Sequence, residues 1–249
     1  MNDLYISRVS IEKKIPENRY YRSIPAVRFV EENGLSFDKP VTFLIGENGM
    51  GKSTLIEAVA IAAGFNPEGG TKNFSFNTND SHSDLHSYLT ITRKAYARDG
   101  FFLRAESFYN LASNIDELDK GWGSRRLIDS YGGKSLHAQS HGESFLALVK
   151  NRFSGEGLYL MDEPEAALSP ARLMQLLIRI HDLVEDDSQF IISTHSPILM
   201  SYPDADILEL NEKGIRRTTY KETDHYMITK NFIEKPERMY RHLFEEEDE

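Results

Sequence analysis

Residues 41–65 constrain the fold of this 249-residue chain more than any other stretch. VTFLI at 41–45 is short, apolar and β-branched, which predicts a buried strand. GENGMGKST follows at 46–54, and STLIEAVAIAAGF from Ser53 predicts a helix. Gly46, four residues, then Gly51, Lys52 and Ser53 match the phosphate-binding loop spacing. The chemistry explains the residue types. Gly46, Gly49 and Gly51 let the backbone turn tightly, so that N–H groups across Gly46, Glu47, Asn48, Gly49, Met50 and Gly51 face phosphate oxygens. The start of the following helix, through Thr54, adds a dipole that favours an anion. Lys52 is expected to reach the outer phosphates, and the Ser53 hydroxyl to ligate Mg²⁺. A loop of this kind does not separate hydrolases from kinases or GTPases.

Two further strand ends carry polar groups. GLYLMDEPEAAL places Asp162 and Glu163 at the end of a buried strand, LYLMD at 158–162. Asp162, expected on a strand next to VTFLI, suits Mg²⁺, and Glu163 suits polarising an attacking water. A second carboxylate of this kind favours hydrolysis over phosphoryl transfer to another substrate. QFIISTHSP ends a third buried strand and sets His195 at the carboxyl edge, where open α/β sheets bind ligands. Apolar strands alternating with helices imply a mainly parallel sheet covered on both faces.

Elsewhere the expectations are coarser. LYISRVSI (4–11) and AVRFV (26–30) read as strands. YLTITRKAYARDGFFLRAESF reads as two strands joined in a hairpin at Asp99-Gly100. Residues 64–87 read as a loop, 111–120 as a helix, and 121–141 as a glycine-rich stretch holding the one Trp, at 122. ESFLALVKNRF reads as a helix. Leu173, Leu176, Leu177, Ile180, Leu183 and Val184 have core-facing helical spacing behind Pro170, with Ser169 as cap. TDHYMITKNFIEKPERMYRHLF predicts two helices, Pro236 opening the second. His82 and His86 near Asp84 stand at metal-pair spacing but read better as loop residues. Tyr20, Tyr21 and Phe29 are candidates to stack on a base or to fill the core. RRLIDSYGGK (125–134) reads as a loop or a basic edge.

Composition sets outer limits. At 40% hydrophobic and 27% charged residues the chain is that of a folded globular protein. No apolar run approaches the ~20 residues that span a bilayer, and MNDLYISRVSIEKK lacks signal-peptide patterning. With no cysteine, a cytoplasmic location is the expectation. The charge of −10 does not indicate nucleic-acid wrapping; part of it sits in the terminal EEEDE.

Together these motifs resemble the ABC-type ATPase superfamily, which carries a Leu-Ser-Gly-Gly-Gln/Glu signature before a helix. In QSHGES, Ser140, Gly142 and Glu143 match it, while His141 replaces the first glycine and Gln139 the leucine. The resemblance implies that this segment binds the γ-phosphate of ATP held by a second copy, giving a head-to-tail homodimer. A plain capping box, Ser140 with Glu143, explains the same residues. FFLRAESFYN, SLHAQSHGESFLAL, GLYLMDEPEAALSP and FIISTHSPILMSYPDA further resemble small stand-alone bacterial AAA/ABC-type ATPases, related to SMC and break-repair ATPase heads. The implied architecture is one α/β P-loop domain with a mainly parallel core sheet, an antiparallel β subdomain (1–45 and 87–108) and a small helical insert. In that division 109–152 carries the signature, 153–244 the core and 245–249 the acidic tail.

The sequence departs from the superfamily twice. The usual glutamine of the loop between P-loop and signature has Glu106, or Arg104, as its equivalent, unless LRAESF is only a surface hairpin edge. The residue after Leu168 is Ser169 where an aspartate is usual. The expected activity is hydrolysis of ATP with Mg²⁺, with Glu163 and His195 catalytic, in a DNA-related or defence-type process. A nucleotide-gated switch controlling a partner such as a nuclease, or a transporter's ATPase subunit, are the rival readings. No membrane contact is expected, and DNA stays open as a partner without support from the charge.

Overall fold

Alternation along five parallel strands decides the architecture. In the computed structural model, which describes residues 4–71, 83–106, 108, 113 and 140–244, a six-stranded sheet runs in the order β5-β6-β7-β3-β8-β9. Its strands are β3 (Val41–Ile45), β5 (Asp99–Arg104), β6 (Gly157–Asp162), β7 (Gln189–Ser193), β8 (Asp206–Asn211) and β9 (Gly214–Thr218). All neighbours are parallel except the β8–β9 pair. Phe102, Leu160, Ile191, Leu44 and Leu208 face one core. Phe101, Tyr159, Phe190, Phe43 and Ile207 face the other. A period-two strand buried on both faces must be apolar at every position, hence runs such as VTFLI.

Helices cover both faces. Toward the first core lie α1 (Pro25–Asn33) and α2 (Lys52–Ala62). Toward the second lie α3 (His141–Arg152), α4 (Pro170–Glu185) and the short α5 (Pro197–Met200). Helix α4 buries Leu173, Leu176, Ile180 and Leu183 and leaves Ile178 exposed, as its stripe predicts. A second, three-stranded antiparallel sheet, β2-β1-β4, joins β1 (Arg8–Ile11), β2 (Leu35–Ser36) and β4 (Leu89–Thr92). Gln189, fully buried at the start of β7, pins it to the core: its Oε1 accepts from Ile6 N and its Nε2 donates to Ile6 O. The chain closes with α6 (Asp224–Glu234) and α7 (Pro236–Phe244). These two helices leave Ile228, Phe232, Ile233, Leu243 and Phe244 exposed. Among the described residues no helix is long and apolar enough to cross a membrane.

Four expectations are corrected. AVRFV is helical, not extended: Pro25 occupies the first helical turn, Ala26, Val27 and Val30 form one buried face, and Gly34 at φ 68° ends the helix. The β-branched content pointed to a strand, and packing overrode it. Asp99-Gly100 is not a hairpin turn. It opens β5, which pairs with β6, while β4 pairs with β1 in the other sheet. β3 and β5 likewise lie in the large sheet, so the antiparallel portion holds only β1, β2 and β4. Finally, β6 is not next to β3; β7 lies between them. The helix expected at 111–120, the segment 125–134 and His82 fall outside the described residues, apart from Ser113.

Candidate functional site

The parallel strands all end at one edge, and β7 organises it. Ser193, its last residue, is in register with Leu44 of β3 on one side and Asp162 of β6 on the other. Two strand spacings, about 10 Å, therefore separate the start of the 46–54 loop from the acidic pair. Helix α2 closes that gap: the Ser53 hydroxyl donates to Asp162 Oδ1 at 3.1 Å. The loop turns through positive-φ glycines at 46, 49 and 51. At Gly46, φ is 138° and a Cβ would run into the Leu210 carbonyl, so only glycine fits. Lys52 is buried, and its ammonium donates to the carbonyls of Gly46 (2.8 Å) and Glu47 (3.0 Å). Burial lowers its pKa, opposed by the nearby charges of Glu163, Asp162 and Glu165.

Burial pushes the Asp162 carboxyl up to about 6, against the pull of Arg104 and the hydrogen bond from Ser53. Glu163 follows in the left-handed region, φ 50° and ψ 52°, with its N–H donating to Ser193 O. A non-glycine residue there costs about 1–3 kcal/mol and survives only where surrounding contacts impose it. The bend turns Glu163 into a cavity of about 360 Å³ whose other walls are Ile24, Asn48, Gly49, Gly51, Lys52, Ser53, Thr54 and Glu106. His195 lies with its Nε2 3.6 Å from Glu163 Oε1. That Nε2 is buried with no hydrogen-bond partner among the described residues. Burial, and then the charge of Lys52, hold its pKa below the ordinary histidine value.

Six of the nine predicted loop residues line this cavity. Gly46, Glu47 and Met50 line a second cavity of about 490 Å³ together with residues of β8 and α6. Glu106 faces the first cavity with an exposed side chain, 3.9 Å from Arg104. Tyr20 is exposed, whereas Tyr21 is buried and donates to Asp84. The His86 ring contacts the Ser83 carbonyl, and no three potential ligands cluster among the described residues.

Ser140 to Glu143 are not part of this cavity. They form the start of α3. The Ser140 N–H and O–H both donate to Glu143 Oε2, at 3.0 and 2.7 Å, completing a capping box. Those bonds hold the Glu143 carboxyl below its ordinary range. Arg172 of α4 reaches Glu143 at 3.2 Å and Ser140 at 3.3 Å. His141 lies edge-on to Phe108.

Sequence reasoning missed Glu165, Ile24 and His225, and named Arg104 only as a possible stand-in for the loop glutamine. Glu165 accepts from the His195 N–H at 2.5 Å and fixes the turn after β7; its place in DEPE was the available signal. Arg104 pairs with Glu57 at 2.6 Å, with its Nε 3.9 Å from Asp162. Ile24 lines the cavity, and its Cγ2 occupies the space a Cβ on Gly51 would need. His225 of α6 meets His195 at 3.2 Å. No local pattern announces Ile24 or His225.

The arrangement fits Mg²⁺ with a triphosphate. It offers a buried ammonium, a hydroxyl bonded to a desolvated carboxylate, positive-φ glycines and a buried imidazole nitrogen without a hydrogen-bond partner among the described residues.

Comparison with known proteins agrees. A family model described as "AAA domain" matches residues 20–120. Three solved structures share the fold. One is "a putative metal-chelate type ABC transporter" (TM-score 0.52, 15% identity, 92% of this chain and 88% of that one). The second is cbiO1 from Clostridium perfringens, part of an ABC transporter complex (0.50, 16%, 97% and 99%). The third is an ATP-binding cassette of an ABC transporter (0.50, 16%, 96% and 99%). Comparison with curated proteins finds no match. A second family model covers residues 72–201, through the Asp162, Glu163 and His195 that the fold gathers against the P-loop. By that match over half its length, the chain belongs to the P-loop ATPase family described as "AAA domain, putative AbiEii toxin, Type IV TA system".

Proposed function

We propose that the chain binds Mg-ATP at residues 46–54 and hydrolyses it to ADP and phosphate, in a head-to-tail homodimer. The observation that carries this is Glu163, bent by its left-handed backbone into the cavity that Lys52, Ser53 and Thr54 also line. Ser53 and Asp162 would hold Mg²⁺, which supplies charge neutralisation on the phosphates. Lys52 exchanges its bonds to the Gly46 and Glu47 carbonyls for phosphate oxygens. Glu163 takes a proton from water as the water oxygen attacks the γ-phosphorus and the bond to the β-phosphate oxygen breaks. His195 presents its ring nitrogen to Glu163 and the same phosphate. Glu106 stands where a polar side chain could reach metal or water. In the dimer, Ser140, His141, Gly142 and Glu143 cap the partner's nucleotide at the start of α3, where an anion is favoured. Their absence from their own chain's cavity supports that division. The 1–249 chain is read as one such domain.

The test is turnover against protein concentration. Specific activity should rise through the dimerisation range. A constant specific activity would remove the composite site, and no Mg-ATP binding by calorimetry would remove the nucleotide site.

A second reading has specific support. Glu106 stands in place of glutamine, Ser169 carries no charge, and the signature residues already satisfy one another. These favour slow turnover in a nucleotide-gated switch that controls a partner such as a nuclease. The family description favours a defence-type or toxin–antitoxin setting for either reading. Turnover with and without DNA, beside a pull-down, separates the two.

A further inference from the structure

We infer that His225 is a positioning residue: its Nε2–H donates to His195 Nδ1 and thereby fixes His195 with a proton on Nε2, facing Glu163. The inference rests on the reading of this edge as an ATP-hydrolysing site, and it brings the C-terminal helix α6 into that site.

The contact is a hydrogen bond rather than a stack. His195 Nδ1 and His225 Nε2 lie 3.2 Å apart, with ring centroids at 5.4 Å and planes at 47°. Which nitrogen donates follows from the other side of the His195 ring. Its Nε2 is 3.6 Å from Glu163 Oε1. An ionised carboxylate only accepts, so a lone pair on Nε2 would face lone pairs, whereas an N–H faces them favourably. A neutral imidazole protonated on Nε2 must accept at Nδ1, and His225 is then the donor. Burial favours the neutral form of both rings and lowers each pKa; Lys52 adds to this on His195, and His195 and then Lys52 add to it on His225, while Glu163 opposes it on His195 and Asp224 and Glu209 oppose it on His225.

The donor is held in place by its helix. Thr223, fully buried, caps α6 by accepting from Tyr226 N, and Tyr226 packs on Tyr220 at 4.7 Å. His225 is the second residue of that helix and also faces Gly46 and Glu47 across the second cavity. Without its partner, the His195 ring is free to turn or to take the other tautomer, which offers the γ-phosphate a lone pair instead of a proton.

The test uses the full chain labelled with ¹⁵N-histidine, together with His225→Leu and His225→Gln. Ring ¹⁵N shifts report the tautomer directly, with or without turnover. Wild-type His195 should read as protonated on Nε2, and His225→Leu should lose that state. Turnover of His225→Leu should fall about 10- to 100-fold, the range for losing a ring-orienting partner. Its KM and Mg-ATP affinity should stay near wild type. His225→Gln, whose amide N–H can take the donor's place, should recover most of both signals, and its melting curve controls for folding. A wild-type His195 protonated on Nδ1 would falsify the inference, and so would a His225→Leu variant unchanged in tautomer and turnover. Failure of the wild type to bind Mg-ATP would instead overturn the site reading.

Discussion

The acidic edge and the start of α3 handle charge in opposite ways. At the edge, Asp162, Glu163, Glu165, Lys52 and His195 crowd together. Asp162 is raised to about 6 by burial, Glu163 is held in a costly backbone region, and His195 Nε2 and Glu165 Oε2 have no partner among the described residues. At α3, Ser140, Glu143 and Arg172 bond to one another on the surface, and Glu143 is stabilised in its ionised form. The first region stores free energy that, under the proposed function, a cation and phosphates would release. The second is complete by itself and contributes local stability whatever it touches later. On the proposed reading, a polar cluster shaped for a ligand within its own chain is left short of partners, whereas one shaped for a ligand held by a second copy must first hold its helix together.

That contrast breaks most visibly at Glu163. Glu163→Gln should retain Mg-ATP binding within a few-fold and lose about 10²- to 10⁴-fold in turnover, the usual contribution of a general base. Full turnover, by phosphate release, would move the role elsewhere.

A stability measurement sharpens it next. The folded chain holds the Asp162 proton more tightly than the unfolded chain, so the ionised group costs stability above about pH 6 and nothing below about 3.8. Asp162→Asn should therefore raise the unfolding free energy without metal on the order of 2–3 kcal/mol at pH 8. The gain should vanish near pH 4, as followed by urea titration. An equal gain at both pH values would attribute it to packing rather than to charge.

At the other region the signs reverse. Ser140→Ala should destabilise the protein by about 1 kcal/mol through the lost cap, and should lower turnover in the dimer as well. Destabilisation with turnover intact would leave the capping box as its whole role. Smallest is Arg172→Met, which removes a partly exposed ion pair with Glu143. Its effect on stability should stay below about 1 kcal/mol, read from the shift in melting temperature. A larger loss would make the α3–α4 contact more than a surface tie.

Legibility followed sequence distance. The 46–54 loop, its flanking strand and helix, the α4 stripe and the strand ends at Asp162 and Ser193 were all readable. In each, glycine spacing, apolar periodicity and a charged break after a buried run lie within one short window. AVRFV failed within such a window because branched side chains suit both a strand and a packed helix face, and the core, not the propensity, chose.

The amino-acid sequence alone thus determined that a phosphate-type loop sits between a buried strand and a helix, and that Asp162 and Glu163 follow a second buried strand. Tertiary structure alone decided that β7 would separate β3 from β6 and that Ser53 would reach Asp162, 109 positions away. It also set Arg104 beside Glu57 and Asp162, and His225 behind His195. The reason is physical: local geometry is written by neighbours along the chain, whereas the partners of a buried charge are chosen when distant segments lose water together.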